Sequence, residues 1–114
     1  MFVGVARVVI QIPASRSLKD RRSVVRSFKD RVRARVRASV AEVGDVESWQ
    51  IATVGVAVVA RDRSRCEDAL SQSVSVARSL SEAFVADVRT EIVSYGFGGD
   101  GIRGGIESLV EDDS

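Results

Sequence analysis

The apolar residues of this chain follow two spacings. In some stretches they occupy every second position, and in the stretches between these they recur every three or four residues. Alternation is typical of β-strands, and the longer spacing is typical of α-helices. In chain order, the patterns predict a strand over 2–12, a helix over 18–37, two hairpin strands over 38–43 and 49–60, a second helix ending near residue 83, and a strand over 85–95. The single proline, Pro13, ends the first strand because its nitrogen lacks the hydrogen that a sheet ladder requires.

The predicted order β-α-β-β-α-β is that of a ferredoxin-like sandwich, in which two helices pack on one face of a single antiparallel sheet. Ser17, followed three residues later by Asp20, is a candidate N-cap of the first helix. Asp62 or Ser64 can cap the second helix. A chain of 114 residues accommodates one such domain. We therefore assign residues 1–95 to an α+β, ferredoxin-like domain.

Residues 96–114 differ in composition from the rest of the chain. Six of the nine glycines lie between 96 and 105, and four acidic residues follow them. This composition predicts a flexible, acidic tail. Gly96-Phe-Gly-Gly-Asp-Gly101 has the spacing GxGxxG, but a dinucleotide site requires that motif inside a βαβ unit, and too little chain follows for one.

Charge is distributed unevenly along the chain. Residues 1–37 contain 11 Lys and Arg against two Asp, whereas residues 38–114 contain six Arg against 14 Asp and Glu. Fifteen of the 17 basic residues are Arg, whose planar guanidinium can bind phosphate bidentately. The amino-terminal third is therefore strongly basic, although the net charge of the chain is only +1.

Much of this basic charge falls on one side of the first predicted helix. At about 100° per residue, the apolar residues occupy about a third of the helix circumference, and basic residues at steps of three or four lie beside them. Like charges at this spacing repel by a few tenths of a kcal/mol per pair, which indicates a polyanion or an acidic partner. Arg21 instead falls inside the apolar arc, and we expect its side chain to extend past the helix end. We call the following set the basic ridge: Lys19, Arg22, Arg26, Lys29, Arg33 and Arg37.

Three partners would suit the basic ridge. The first is nucleic-acid backbone, bound through phosphate contacts and counterion release. The second is an acidic protein surface. The third is the acidic half of the same chain, with Glu67, Asp68, Glu82 and residues 111–113 as candidates, and the tail in particular would then compete with phosphate. Aromatic residues are few and no RNP-type motif is present, which favours recognition of backbone or shape over base-specific readout.

Composition disfavours catalysis and cofactor binding. Histidine is absent, which removes Ser-His-Asp and Cys-His catalysis and all His-ligated metal sites. The single Cys66 cannot form an internal disulfide and is interpreted as a small buried hydrophobe in a reducing compartment. Glu42, Asp45 and Glu47 crowd the hairpin and would suit a hard cation, although polar turns commonly carry such residues. We predict a non-enzymatic protein without a cofactor or metal.

Two absences bear on location. No run of about 18 apolar residues occurs, so we expect no membrane span. The first strand begins without the basic segment of a signal peptide. We therefore expect neither a membrane span nor a signal peptide.

Two blocks of sequence carry a family resemblance. They are Ser17-Leu-Lys-Asp-Arg-Arg22 with Val24-Val-Arg26, and Ser39-Val-Ala-Glu-Val-Gly-Asp45 with Trp49-Gln50 and Gly55-Val-Ala-Val-Val59. In this order and spacing they resemble the YlxP-like family of small bacterial proteins, which carry a domain of unknown function. The resemblance covers about residues 1–95 and includes three ridge positions, namely Lys19, Arg22 and Arg26.

The resemblance implies a ferredoxin-like fold and a cytoplasmic protein whose gene lies among those for translation and ribosome maturation. It supplies no established activity, and it implies a suspected role in RNA binding or ribosome assembly. Our functional prediction is a non-enzymatic RNA-binding or ribosome-associated accessory factor that uses the basic ridge. The alternative is a protein-interaction module, which forms a homodimer through an exposed sheet edge or docks to an acidic partner.

Overall fold

A computed structural model of the chain describes residues 1–44 and 48–96, which form four strands and two helices. In chain order these are β1 (Phe2–Gln11), α1 (Leu18–Arg35), β2 (Ser39–Glu42), β3 (Ile51–Ala60), α2 (Arg63–Arg78) and β4 (Phe84–Ser94). The strands form one antiparallel sheet in the order β2-β3-β1-β4, with the helices packed on one face. This is the ferredoxin-like arrangement, and the predicted α+β class is confirmed.

The core lies between the sheet and the two helices. Every second residue of β1 and β3 is buried, as the alternating pattern predicts. Gly4 on β1 allows α2 to pack closely, because a Cβ there would lie 3.1 Å from Cδ1 of Leu70 and 3.3 Å from Cβ of Cys66. Cys66 is fully buried, which confirms its interpretation as a small hydrophobe. The helices bury Val24, Val25, Phe28 and Val32 of α1 and Leu70, Val76 and Ala77 of α2.

Both predicted helix caps are confirmed. The Oγ of Ser17 accepts a hydrogen bond from the backbone N–H of Asp20 at 3.1 Å. Asp62, rather than Ser64, caps α2: its Oδ1 accepts from the N–H of Arg65 at 3.0 Å and from the hydroxyl of Ser64 at 2.9 Å. These two hydrogen bonds, that from Arg65 above all, lower the pKa of the Asp62 carboxyl below its ordinary value.

Both helices end earlier than predicted. The helix α1 ends at Arg35, because Val36 already has extended backbone angles (φ −134°, ψ 153°) that lead into β2. Arg37 therefore lies outside the helix on which the basic ridge was predicted. The helix α2 ends at Arg78, where the hydroxyl of Ser79 donates to a carbonyl of the preceding turn at 2.8 Å.

The edge strand β4 departs from simple alternation at its start. Val9 pairs with Asp87, whereas the next residue, Ile10, pairs with Val85, so that Ala86 is skipped in the pairing with β1. Such an irregularity places the residues at the start of β4 on the face opposite to the one that simple alternation gives them. Val85 consequently packs against the core, although the pattern predicts it on the same face as Asp87.

Arg21 is buried, with only 1% of its surface exposed. Its Nη2 forms an ion pair with Oε1 of Glu42 on β2, and its Nε–H donates to the backbone carbonyl of Ile51 at 3.2 Å. The expectation that this side chain extends past the helix end is wrong. The hairpin supplies a carboxylate and a carbonyl beneath the first turn of α1, and these replace water as partners of the guanidinium.

We predict that Arg21 and its neighbour Arg22 differ sharply in their effect on stability. Arg21→Ala should lower the free energy of unfolding by about 3–5 kcal/mol, because it leaves the partly buried Glu42 without its counter-charge. Arg22→Ala, at an exposed position of the same helical turn, should change it by less than about 0.5 kcal/mol. Urea unfolding of both variants measures the difference. Equal effects would contradict a structural role for Arg21.

Candidate nucleic-acid interface

The two flanks of α1 face different neighbours. Nη2 of Arg33 donates to the carbonyl of Val40 on β2 at 3.0 Å, whereas Nη2 of Arg31 donates to Oγ of Ser79 beyond α2 at 2.7 Å. The ridge flank is therefore the one next to the edge strand β2, and the opposite flank lies next to α2. Helical spacing places four further members of the ridge on the same flank as Arg33, namely Lys19, Arg22, Arg26 and Lys29.

The helical part of the basic ridge is accessible. Lys29 is half-buried, and the other four members on α1 are exposed. Within the described residues, only Arg33 has a carboxylate nearby: its Nη1 lies 4.0 Å from Oδ1 of Asp30, and its side chain is 50% exposed. The geometry thus brings together five cations of the six that the sequence predicts.

The acidic half of the chain was the predicted internal partner of these cations. In residues 1–44 and 48–96, none of Glu67, Asp68 and Glu82 forms an ion pair with a ridge residue. The other candidates, at 111–113, lie outside the described residues together with the rest of the predicted tail from 97 onward. Ion pairs with Glu67, Asp68 or Glu82 therefore do not neutralise the ridge in residues 1–44 and 48–96.

Arg37 lies outside α1, two residues beyond its end. It lines an open groove of about 400 Å³ between the end of β3 and the start of α2. Arg61 and Arg65 line the same groove, as does Asp68. Nε of Arg65 lies 3.3 Å from Oδ2 of Asp62, whereas Arg37 and Arg61 form no ion pair with a carboxylate of the described chain. We call Arg37, Arg61 and Arg65 the arginine groove.

Sequence reasoning did not find the arginine groove because its members belong to different elements. Helical spacing relates residues only within one helix, whereas Arg37 follows α1 and the other two lie at the start of α2. The one available signal is the run Arg61-Asp-Arg-Ser-Arg65 at the junction of a strand and a helix. The fold places this run beside the end of α1.

The hairpin does not present the carboxylates that the sequence offers as cation ligands. Glu42 is engaged with Arg21, and Asp45 and Glu47 lie outside the described residues. The described chain contains no group of three or more Cys, Asp or Glu residues arranged to hold a metal ion. Neither α1 nor α2, the helices of the described chain, is long and apolar enough to cross a membrane.

The open face of the sheet does not resemble an RNA-reading surface. Proteins that read bases on a sheet of this kind stack them on aromatic side chains of the central strands. The central strands β1 and β3 contain one aromatic residue, Phe2, which packs against the core. The ridge, rather than the sheet, is thus the surface suited to nucleic acid.

Comparison with known proteins places the chain among small proteins without an assigned activity. Residues 3–90 match the family described as "Protein of unknown function (DUF503)". The chain is also similar to the uncharacterized protein YlxP of Bacillus subtilis (strain 168). The two are 29% identical over 90 residues, which make up 79% of this chain and 98% of that protein. The matched range includes both the basic ridge and the arginine groove.

We predict that the ridge cations repel one another in the free protein. Lys29 lies three residues from Arg26 and four from Arg33, so Lys29→Gln removes two repulsive pairs without changing helix propensity. We compare the free energy of unfolding of the variant with that of the wild type at each salt concentration. This difference should favour the variant by a few tenths of a kcal/mol more at low salt than at high salt, where the repulsion is screened. Thermal unfolding across a salt series measures this. A variant destabilised most at low salt would show that carboxylates of the chain neutralise the ridge.

Proposed function

Since the chain belongs to the DUF503 family, whose members are described as proteins of unknown function, we propose that it binds RNA backbone through the basic ridge. In this role it is a non-enzymatic, ribosome-associated accessory factor of the cytoplasm. One observation carries the proposal. Four cations on one flank of α1 have no carboxylate partner among the described residues: Lys19, Arg22, Arg26 and Lys29.

The spacing of these cations suits a chain of phosphates. From Lys19 to Arg33 the helix rises about 21 Å at 1.5 Å per residue, so several phosphates of one strand can lie along it. Each phosphate removes repulsion between neighbouring cations and releases condensed counterions. Binding should therefore weaken steeply with salt, with a slope of about −0.7 per contact in log K against log salt for a single strand.

The resemblance favours RNA over other polyanions, and the sheet indicates which features of the RNA would be recognised. The YlxP-like resemblance implies a suspected role in RNA binding or ribosome assembly. The lack of aromatic residues on the open face of the central strands is unfavourable for base stacking and leaves backbone and shape as the features to be recognised. We expect little dependence on base sequence and a strong dependence on ionic strength.

An acidic protein surface is the alternative partner for the same cations. It would share the salt dependence, because rim charges act through screened Coulomb attraction. The two kinds of partner would differ in their response to nuclease. Nuclease would remove a bound RNA, whereas binding to a protein partner would survive nuclease treatment. The experiment below therefore uses purified RNA as the ligand.

We predict that Arg22→Glu with Arg26→Glu weakens RNA binding for all sequences alike. Loss of two phosphate contacts should flatten the salt slope by about 1.4 for a single strand. Fluorescence anisotropy with labelled RNA of two unrelated sequences, each over a salt series, measures affinity and slope together.

The matched control is Arg31→Glu with Arg78→Glu. It changes the net charge equally and uses the α2 flank of α1 and the end of α2, away from the ridge. The control should lose affinity only through the reduced net charge, with a slope close to that of the wild type. Equal losses in both double variants, or none in either, would refute the assignment of the ridge.

We further predict that the arginine groove extends the binding surface past the end of α1. Arg37→Ala and Arg61→Ala should each lower RNA affinity several-fold. If both arginines hold the same phosphate, the loss of affinity in the double variant should be smaller than the product of the two single losses. A double-mutant cycle on the same RNA measures the coupling. Unchanged affinity in both single variants would confine the interface to the helical members of the ridge.

A further inference from the structure

The face of the sheet opposite the helices is largely apolar. The register places Val59, Val3 and Val93 in one row across β3, β1 and β4, and Ile51, Gln11 and Phe84 in the row at the other end. Between these rows lie Val5, Val9, Ala41, Gly55 and Ala57, with Val43 beside Gly55. The face thus carries apolar side chains at both ends and on the central strands, where they are interrupted by Thr53 on β3 and Arg7 on β1.

These side chains are accessible to a degree unusual for a sheet. Val59 is 65% exposed, Phe84 50%, Val5 44%, Val93 43% and Ile51 42%. Single exposed apolar residues are common on proteins, whereas a contiguous apolar patch of several hundred Å² commonly marks a binding surface. The face is therefore a candidate interface, separate from the ridge on the helical layer.

The charged residues of this face cancel one another. Arg7 and Arg89 lie beside Asp87 and Glu91 on β1 and β4, and the guanidinium groups are 3.5 Å and 4.0 Å from Oδ2 of Asp87. A face with no net charge does not attract phosphate. Because its net charge is zero, the face as a whole also does not repel a second copy of itself.

The area of the face suits a pair of identical chains. Three strands of ten or eleven residues and the four-residue β2, at about 4.8 Å between strands and about 3.3 Å per residue, give a footprint of about 550 Å² per copy. Two such faces bury about 1,100 Å², which exceeds the roughly 1,000 Å² expected of a biological interface and lies near the lower end of the range for stable complexes. The predominance of apolar side chains is also typical of homodimer interfaces.

The two sheet edges, β2 and β4, are the competing route to a dimer. The strand β2 has only four residues, and short edges are a device against pairing. The longer edge, β4, is also poorly suited to it. The irregular pairing at its start bends the strand, and the charged residues Asp87, Arg89 and Glu91 follow along it. Bulges and alternating charges are devices that prevent edge-to-edge pairing.

We propose that two copies of the chain pack open face against open face about a two-fold axis. The interface is isologous, so each residue meets the partner's copy of the same surface. Because both helices lie on the other side of the sheet, the dimer leaves two basic ridges exposed on its outer surfaces. The proposal does not depend on what the ridges bind.

Sedimentation equilibrium of the full chain tests this directly. The expected particle has twice the 12.3 kDa mass of the chain and persists at high salt, because apolar contact drives its formation. Val5→Lys should weaken association about a hundredfold, since it places two ammonium groups in the interface. Within one chain the substituted position lies opposite Glu91, which limits the cost to the fold. Ile51→Lys, at the end of the face, is a second variant with the same expected direction.

Ser75→Lys is the matched control, because it adds the same charge on the exposed side of α2. It should leave the dimer constant unchanged. A wild-type chain that stays monomeric at submillimolar concentration would overturn the proposal and would leave residues 97–114 or another protein as the cover of the face. A dimer that resists both face substitutions, or that dissociates at high salt, would also overturn it. Circular dichroism of each variant identifies any loss of folding. If a variant does not fold, the oligomeric state of the wild type decides whether the proposal stands.

Discussion

The packing of one apolar stripe of α1 against the sheet determines which way the basic residues of that helix face. Once Val25, Phe28 and Val32 are buried, the helix cannot rotate, and every other residue of α1 takes a fixed direction. The cations at steps of three and four then lie on the flank beside β2. Their mutual repulsion is a few tenths of a kcal/mol per pair, which is small beside the roughly 3–5 kcal/mol lost on truncating a buried aromatic residue. Burial therefore sets the geometry, and the electrostatic cost is tolerated.

Arg21 and Arg22 show how one step of helical rotation separates structure from function. Arg21 points beneath the first turn, where Glu42 and the carbonyl of Ile51 replace its water. Arg22 points outward and has no carboxylate partner in the described chain. The two residues belong to the same motif, so a count of basic residues would treat them alike. Only their burial distinguishes the arginine that holds the hairpin to the helix from the one available to a ligand.

The order and type of the elements were predictable from the period of the apolar residues, and so were the caps at Ser17 and Asp62. The failures have a common cause, which is that they depend on contacts between distant parts of the chain. The inward turn of Arg21 depends on Glu42, and the position of Val85 depends on its register with β1. The arginine groove likewise arises from the meeting of α1 and α2. Five members of the predicted ridge lie on α1, whereas Arg37 lies outside it because the helix ends at Arg35.

The central claim is that the exposed cations of α1 hold RNA in the cell. The most direct measurement is purification of the tagged full-length chain from cells at low salt, with and without nuclease, followed by quantification of the nucleic acid per protein. We predict that RNA rich in ribosomal sequences accompanies the protein, that nuclease removes it, and that raised salt releases it intact, since the contacts are to phosphate. A protein that emerges free of RNA at low salt, or bound to the same partner after nuclease, would contradict the claim.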